Sequence, residues 1–172
     1  MTPLPPLQRL DYHHLKAYQD AEMIYNINCY FCQTFLQKND HRASQMMQAA
    51  LSAKQNIAEG HEIAGTSIER GIKLTNMAKA CIRELVDLYE DYLSAHYGLW
   101  QGIRFPHRLI VSEPLYRRAE RVKRDYLVYI QKLNDEQLIN FCTPFFCHAL
   151  YLLDLFQDLL QKRSNAEVAP KQ

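Results

Sequence analysis

Apolar side chains recur along this chain at alternating steps of three and four residues, the spacing that places them on one face of an α-helix. Four segments show this spacing, at about residues 14–38, 41–59, 66–98 and 135–162. No segment alternates apolar and polar residues as a half-buried strand does. The pattern therefore predicts an all-α fold, an antiparallel up-and-down four-helix bundle. The positions on the four stripes are Ala17, Ala21, Ile24, Asn28, Phe31 and Phe35; Met46, Ala50, Ala53 and Ile57; Gly71, Leu74, Ala78, Cys81, Leu85, Leu88 and Tyr92; and Leu138, Cys142, Phe145, Ala149, Leu152, Phe156 and Leu159.

Capping and breaking residues predict where the helices begin and end. Asp40, and either Thr66 or Ser67, are suited to accept backbone N–H groups at helix N-termini, and Gly60 is suited to end the second helix. Pro144 lies inside the last apolar pattern, where it predicts a kink or a later helix start. An additional short helix is predicted at 113–132, between the third and fourth long helices.

The chain of 172 residues is long enough for one domain with a substantial core. Residues 1–13 are rich in proline and are predicted to form a flexible N-terminal segment. The single four-helix-bundle domain is predicted to span 14–163, with 99–132 as an inserted loop and short helix. Residues 164–172 are predicted to form a flexible tail.

Charge and cysteine content limit the classes of partner and compartment. Twenty Lys and Arg against 19 Asp and Glu leave a net charge of +1, so a nucleic-acid hypothesis must rest on local patterning. The N-terminus lacks the basic start and apolar run of a signal peptide, and we expect no membrane-spanning segment. The five cysteines lie within helical patterns, which favours reduced thiols and a cytoplasmic protein.

The residues offer no constellation for catalysis. Cys29 and Cys32 form a C-x-x-C motif, but in mid-helix, where no helix N-terminus lowers a thiol pKa; core packing is the favoured interpretation. The seven histidines are scattered, and no glutamate of the acidic clusters is followed three residues later by histidine, as di-iron bundles require. Phosphate loops and nucleophile elbows are also missing from the sequence. We therefore predict a protein that is not an enzyme and has no metal or cofactor.

One segment concentrates basic residues. Between Arg104 and Asp125, the spacing of Arg117, Arg121 and Arg124 places three guanidinium groups on one helical stripe. Such a stripe suits a phosphate backbone. The alternative is a solvated face paired with acids of a neighbouring helix or subunit, and both interpretations stay open. The candidate nucleic-acid-binding residues are Arg117, Arg118, Arg121, Lys123 and Arg124.

The stretch from Ser52 to Leu93 resembles a known family. It contains the run NIAEG at 56–60 and, in the next helix, AKACIREL at 78–85, where Cys81 or Ala80 stands in place of a usual serine. These motifs are similar to those of the bacterial four-helix-bundle proteins encoded in 23S ribosomal RNA intervening sequences, in the branch with a suffix domain. The residues that carry the resemblance are Ser52, Asn56, Glu59, Gly60, Glu84 and Leu85.

The resemblance implies a ring-like homopentamer without established enzymatic activity. It also implies kinship with the accessory variability proteins of diversity-generating retroelements, which bind reverse transcriptase and nucleic acid. We interpret the signature as structural, with Glu59 paired to Lys79, Arg83 or a capping amide on the third helix; a ligand site is the alternative.

These observations predict a non-enzymatic oligomeric adaptor that binds structured RNA, DNA or a nucleoprotein partner through basic helical stripes. The alternative is a protein-only scaffold that binds a partner protein and has no role with nucleic acid. Neither hypothesis involves a membrane.

Overall fold

The computed structural model describes residues 11–98 and 126–168, and these ranges are helical with no strand. The all-α prediction is confirmed. After a 3-10 turn at Tyr12–His14, the helices are α1 (Lys16–Phe35), α2 (His41–Ala64), α3 (Ile68–Tyr97), α4 (Tyr126–Ile130) and α5 (Asp135–Val168). Of the predicted short helix at 113–132, the part before Tyr126 lies outside the described residues.

The four long helices form an up-and-down bundle in which α1 packs on α2 and α5, and α3 packs on the same two helices. Short connections make α1, α2 and α3 run in alternating directions. At the far end of α3, Tyr92 contacts Asp135 in the first turn of α5, so these two helices are also antiparallel. This is the arrangement that the hydrophobic pattern predicts.

The predicted stripes supply the core. Of the predicted stripe positions, Ile24, Leu85 and Phe145 are fully buried. Cys81 and Leu152 are only half-buried, because their neighbours Ile82 and Leu153 face the core instead. Where α1 meets α3, the ring of Phe31 packs edge-on against Tyr89, with centroids 4.9 Å apart. Edge-to-face contacts of this kind add to the free energy of burial, so the aromatic residues fix how these helices face each other.

Side-chain caps begin the helices. The carboxylate of Asp40 accepts from the backbone N–H of Arg42, which confirms the predicted N-cap of α2. The Ser67 hydroxyl accepts from the N–H of Arg70, so of the two predicted candidates Ser67, and not Thr66, caps α3. At the start of α5, the Asn134 side chain accepts from the Gln137 N–H while the Gln137 side chain accepts from the Asn134 N–H. This reciprocal pair satisfies two donors that a helix N-terminus leaves open.

The predicted end of α2 at Gly60 is wrong, because the helix continues to Ala64. Gly60 is buried inside it, and a Cβ there would lie 3.2 Å from the Cβ of Leu74 on α3. At Gly71 on α3 a Cβ would lie 2.7 Å from the Cβ of Ala64. Both glycines therefore allow α2 and α3 to approach closely, as small residues do at helix crossings.

The last helix is longer than predicted. It begins at Asp135 as expected, carries Pro144 in its interior, and runs to Val168 instead of ending near residue 162. The predicted boundary between the domain and its tail, at 163, thus lies within α5. A window of this helix reaches a mean hydropathy of 1.4 and is half-buried against the other helices. The core helix of a soluble bundle can be equally long and apolar, so this hydropathy is weak evidence for a membrane span.

Candidate functional site

The end of α3 and the start of α5 are joined by a cluster that we call the tyrosine clamp, formed by Tyr92, Tyr97 and Asp135. The hydroxyl of Tyr92 donates to one carboxylate oxygen of Asp135 at 2.8 Å, and the hydroxyl of Tyr97 donates to the other at 2.5 Å. The backbone N–H of Glu136 adds a third hydrogen bond. The clamp lies between the two ends of the connection that contains residues 99–125, and it holds those ends together.

The clamp joins an ionised carboxylate to two protonated phenols. Burial alone would raise the pKa of Asp135, but the hydrogen bonds from Tyr97 and Tyr92 outweigh it and lower that pKa. The hydrogen bond to Asp135 raises the pKa of Tyr97 to about 12. Burial, together with the same carboxylate, raises the pKa of Tyr92. The donors and acceptor therefore keep their roles throughout the physiological pH range.

The turn between α1 and α2 reaches the same end of the bundle. The guanidinium of Arg42 forms an ion pair with Asp40 at 2.7 Å and lies 5.6 Å from the ring centroid of Tyr92. The ring of His96, one turn later on α3, stacks on the ring of Tyr92, with centroids 4.0 Å apart. Residues of α2, α3 and α5 thus meet at the clamp, where the connection between α3 and α5 leaves and rejoins the bundle.

Charge is divided unevenly between the bundle and this connection. Residues 11–98 and 126–168 contain 11 Lys and Arg against 16 Asp and Glu, whereas 99–125 contains seven against three. The near-neutral chain therefore combines an acidic bundle with a basic connecting segment. The predicted nucleic-acid-binding residues lie in that segment and outside the described residues; they are Arg117, Arg118, Arg121, Lys123 and Arg124.

The signature residues do not form one site. Leu85 is fully buried in the core, whereas Glu84 is exposed. Ser52 accepts a hydrogen bond from Gln48 at 3.0 Å, within α2. Asn56 is half-buried and hydrogen bonds to Cys81 on α3; burial raises the pKa of this thiol, and the bond from Asn56 opposes that rise. Asn56 and the buried Gly60 therefore serve the contact between α2 and α3.

The expected pairing of Glu59 with Lys79 is wrong. The ammonium of Lys79 lies 2.9 Å from Asp154 and also donates to Gln157, so it links α3 to α5. Glu59 is exposed and lines a surface groove between α2 and α3, beside Leu74. Helix periodicity assigns Lys79 to the side of α3 that faces the core, but it does not determine which of two neighbouring helices the long side chain reaches.

Two buried polar pairs were not predicted. Asp20 on α1 is fully buried, and its carboxylate lies 2.6 Å from Nδ1 of His148 on α5. In the core, the hydroxyl of Tyr89 donates to Oδ1 of Asn28 at 2.9 Å. Asn28 is the one polar residue on the predicted stripe of α1, and this position could have indicated a buried hydrogen bond. Nothing in the sequence indicated that Asp20 is buried. Buried polar groups need such partners, and both pairs fix how helices meet.

Burial holds two of the thiols in their protonated form. Cys32 is half-buried in mid-helix, where burial raises its pKa to about 12, and burial also raises the pKa of Cys142. Thiolate, the reactive form, is therefore scarce at both sulfurs. Across 11–98 and 126–168, no three His, Cys, Asp or Glu side chains are grouped to hold a metal ion.

An apolar patch lies on the outside of the bundle. On α5, Tyr151 and Leu155 are each 48% exposed one turn apart. Leu127 and Val128 on α4, which precedes the start of α5, form a separate pair that is more than half exposed. Solvent exposure of neighbouring large apolar side chains marks surfaces that bind other proteins.

Comparison with known proteins does not place this chain in a family. No protein-family model, curated protein or solved structure matches this chain.

Proposed function

We propose that this protein is a non-enzymatic, homo-oligomeric adaptor that uses its basic connecting segment to bind structured RNA or a nucleoprotein partner. The observation that carries the proposal is the division of charge between an acidic bundle and a basic segment at 99–125. A polyanion is repelled by the first and attracted by the second, so its contacts concentrate on the segment.

The chemistry of the segment suits phosphate. Arg117, Arg121 and Arg124 share a predicted helical stripe, and guanidinium groups bind phosphate oxygens in a bidentate manner. Contacts of this type position a nucleic acid without reading its sequence. The tyrosine clamp supports the proposal because it joins the two ends of the α3–α5 connection that contains the segment, which lowers the conformational entropy that binding must overcome.

Self-association is the second part of the proposal. The exposed apolar pair Tyr151 and Leu155 on α5 offers a surface for subunit contacts, and the resemblance to intervening-sequence proteins suggests a pentamer. Several copies of a weak basic segment on one particle bind a multivalent partner more tightly than one copy does.

The test is titration of nuclease-treated protein with a structured RNA at salt concentrations from 50 to 300 mM, followed by fluorescence anisotropy. Since each neutralised phosphate releases counterions, three to five contacts per binding unit predict a plot of log K against log salt with a slope of about −3 to −5. Light scattering on the same samples gives the number of subunits. An absence of binding at 50 mM salt contradicts the nucleic-acid part of the proposal.

The second candidate is a protein-only scaffold, and the exposed apolar patch of Tyr151 and Leu155 favours it. In that case the acidic residues of a partner protein, or of another subunit, neutralise the arginines. Association that does not change between 50 and 300 mM salt, and that is weakened by Leu155→Ser, supports the scaffold instead.

A further inference from the structure

An apolar cavity of about 180 Å³, partly open to solvent beside Lys16, lies between all four long helices at the end of the bundle remote from the tyrosine clamp. Its walls come from Leu15 and Ala17 at the start of α1, Ile57 on α2, and Leu152 and Phe156 on α5. The cavity exists because α1 begins only at Lys16, so the first helical side chain that faces this layer is the methyl group of Ala17.

Few polar groups reach the cavity. The hydroxyl of Thr75 donates to the carbonyl of Gly71 at 2.8 Å, so its proton is used within α3. The ring of His61 stacks on Phe156, with centroids 5.7 Å apart and planes inclined by 27°. Burial lowers the pKa of His61, so at neutral pH its imidazole is uncharged and one ring nitrogen is an acceptor. Lys16 is at the edge and exposed.

We propose that this cavity is a binding site for a small uncharged aromatic molecule, of one or two fused rings, whose single N–H or O–H group donates to His61. Close-packed interiors contain few voids, and an apolar cavity of roughly 150 Å³ stays dry and takes up benzene. The aliphatic walls and the flat Phe156–His61 pair fit an aromatic ring. The mostly apolar lining disfavours a polar or charged molecule, whose groups would lose water without gaining enough partners.

The experiment titrates the full-length protein with indole, phenol and benzene, and follows binding by nuclear magnetic resonance of the methyl groups of Leu152 and Ile57. The expected result is saturable binding of one molecule per chain, with shifts confined to the cavity walls. Shifts spread over the exposed apolar patch instead, or no saturable binding of any of the three probes by the folded protein, would overturn the proposal.

Variants locate the site. Ala17→Leu and Leu152→Phe each place added carbon atoms in the cavity, and each is expected to weaken indole binding at least ten-fold. The matched control is Ala80→Leu, which adds the same atoms at an exposed position of α3 and is expected to leave binding unchanged. Thermal melts identify a variant that fails to fold. If one of the two cavity-filling variants does not fold, the binding measured for the other is the test of the site. Equal binding by wild type and a folded filling variant contradicts the cavity as the site.

The role of His61 has its own test. His61→Phe keeps an aromatic ring beside Phe156 but removes the acceptor, so indole and phenol are expected to lose about five-fold in affinity while benzene does not. An equal change for all three probes contradicts the proposed hydrogen bond.

Discussion

Replacement of Gly71 by alanine tests the close approach of α2 and α3. In an ordinary helix interior this change stabilises by about 0.5–1 kcal/mol, because glycine loses more backbone freedom on folding. Here the new Cβ would lie 2.7 Å from the Cβ and 3.0 Å from the Cα of Ala64, and 3.2 Å from Cδ1 of Leu160. Since carbon atoms pack at about 3.5–4.0 Å, the two helix backbones must separate by about 1 Å.

Overpacking of this kind costs typically about 1–3 kcal/mol, and the need to move backbone places Gly71→Ala in the upper part of that range. After the propensity gain is subtracted, we expect the free energy of unfolding to fall by about 1–2 kcal/mol. Urea unfolding followed by circular dichroism, at one protein concentration, measures the change.

Gly65→Ala is the matched control. Gly65 follows α2 with φ of −69°, and the nearest atom to an added Cβ is the carbonyl oxygen of Glu62 at 3.6 Å. We expect this variant to be unchanged or stabilised by up to about 1 kcal/mol. If Gly71→Ala stabilises the protein as much as Gly65→Ala does, the close packing of α2 on α3 is refuted.

Three further predictions concern single groups. Because the folded-state pKa of Asp135 is lowered, its contribution to stability is fully present above about pH 4 and is lost as pH falls through the folded value. Asp135→Asn should therefore destabilise most at pH 7 in urea unfolding, and the destabilisation should shrink steadily as the pH is lowered below about 4; a destabilisation that does not change with pH contradicts it. Tyr89→Phe removes the donor to the buried oxygen of Asn28 and should lower the free energy of unfolding by about 1–3 kcal/mol, whereas a change below about 0.5 kcal/mol would show that the hydrogen bond contributes little. Alkylation at pH 8 followed by mass spectrometry should leave Cys32 and Cys142 unmodified in the folded protein and modify both in urea; rapid native labelling of either thiol contradicts the role of burial.

The helices could be predicted because each one buries a continuous stripe. Asp40 and Ser67 cap helices through contacts within three residues, so their roles are encoded locally. The three-four spacing likewise needs no knowledge of the partner helix, and it identified core residues such as Phe31 and Leu85. Local information was therefore sufficient for the number and order of the long helices and for most of their buried faces. Toward the end of α5 the buried positions are Leu153 and Leu160, one residue after the predicted Leu152 and Leu159.

The remaining features depend on contacts between distant parts of the chain. Gly60 is typical of a helix end, and only the proximity of Leu74 shows that it permits helix packing instead. Lys79 contacts Asp154, 75 residues later, and Asp20 contacts His148, 128 residues later. No periodicity within one helix predicts such pairs, because they depend on the register between helices.

The candidate interface was predictable only in part. The basic stripe of Arg117, Arg121 and Arg124 is visible in the sequence, and it stays a prediction because these residues lie outside the described ranges. The tyrosine clamp was not predicted, since Tyr92 was assigned to the core and Asp135 to a helix start. Their meeting requires the folded bundle.

The most direct test of the proposed adaptor compares two triple variants in binding to one labelled structured RNA at 50 mM salt. The first changes Arg117, Arg121 and Arg124 to alanine, and the second removes the same charge from the bundle surface by changing the exposed Lys38, Arg83 and Lys162 to alanine. If the basic segment is the interface, the first variant loses binding by about 100-fold or more, since each lost phosphate contact costs about 1 kcal/mol or more. The second variant then binds within a few-fold of wild type. Equal losses in the two variants would show that binding follows net charge alone and would contradict the account.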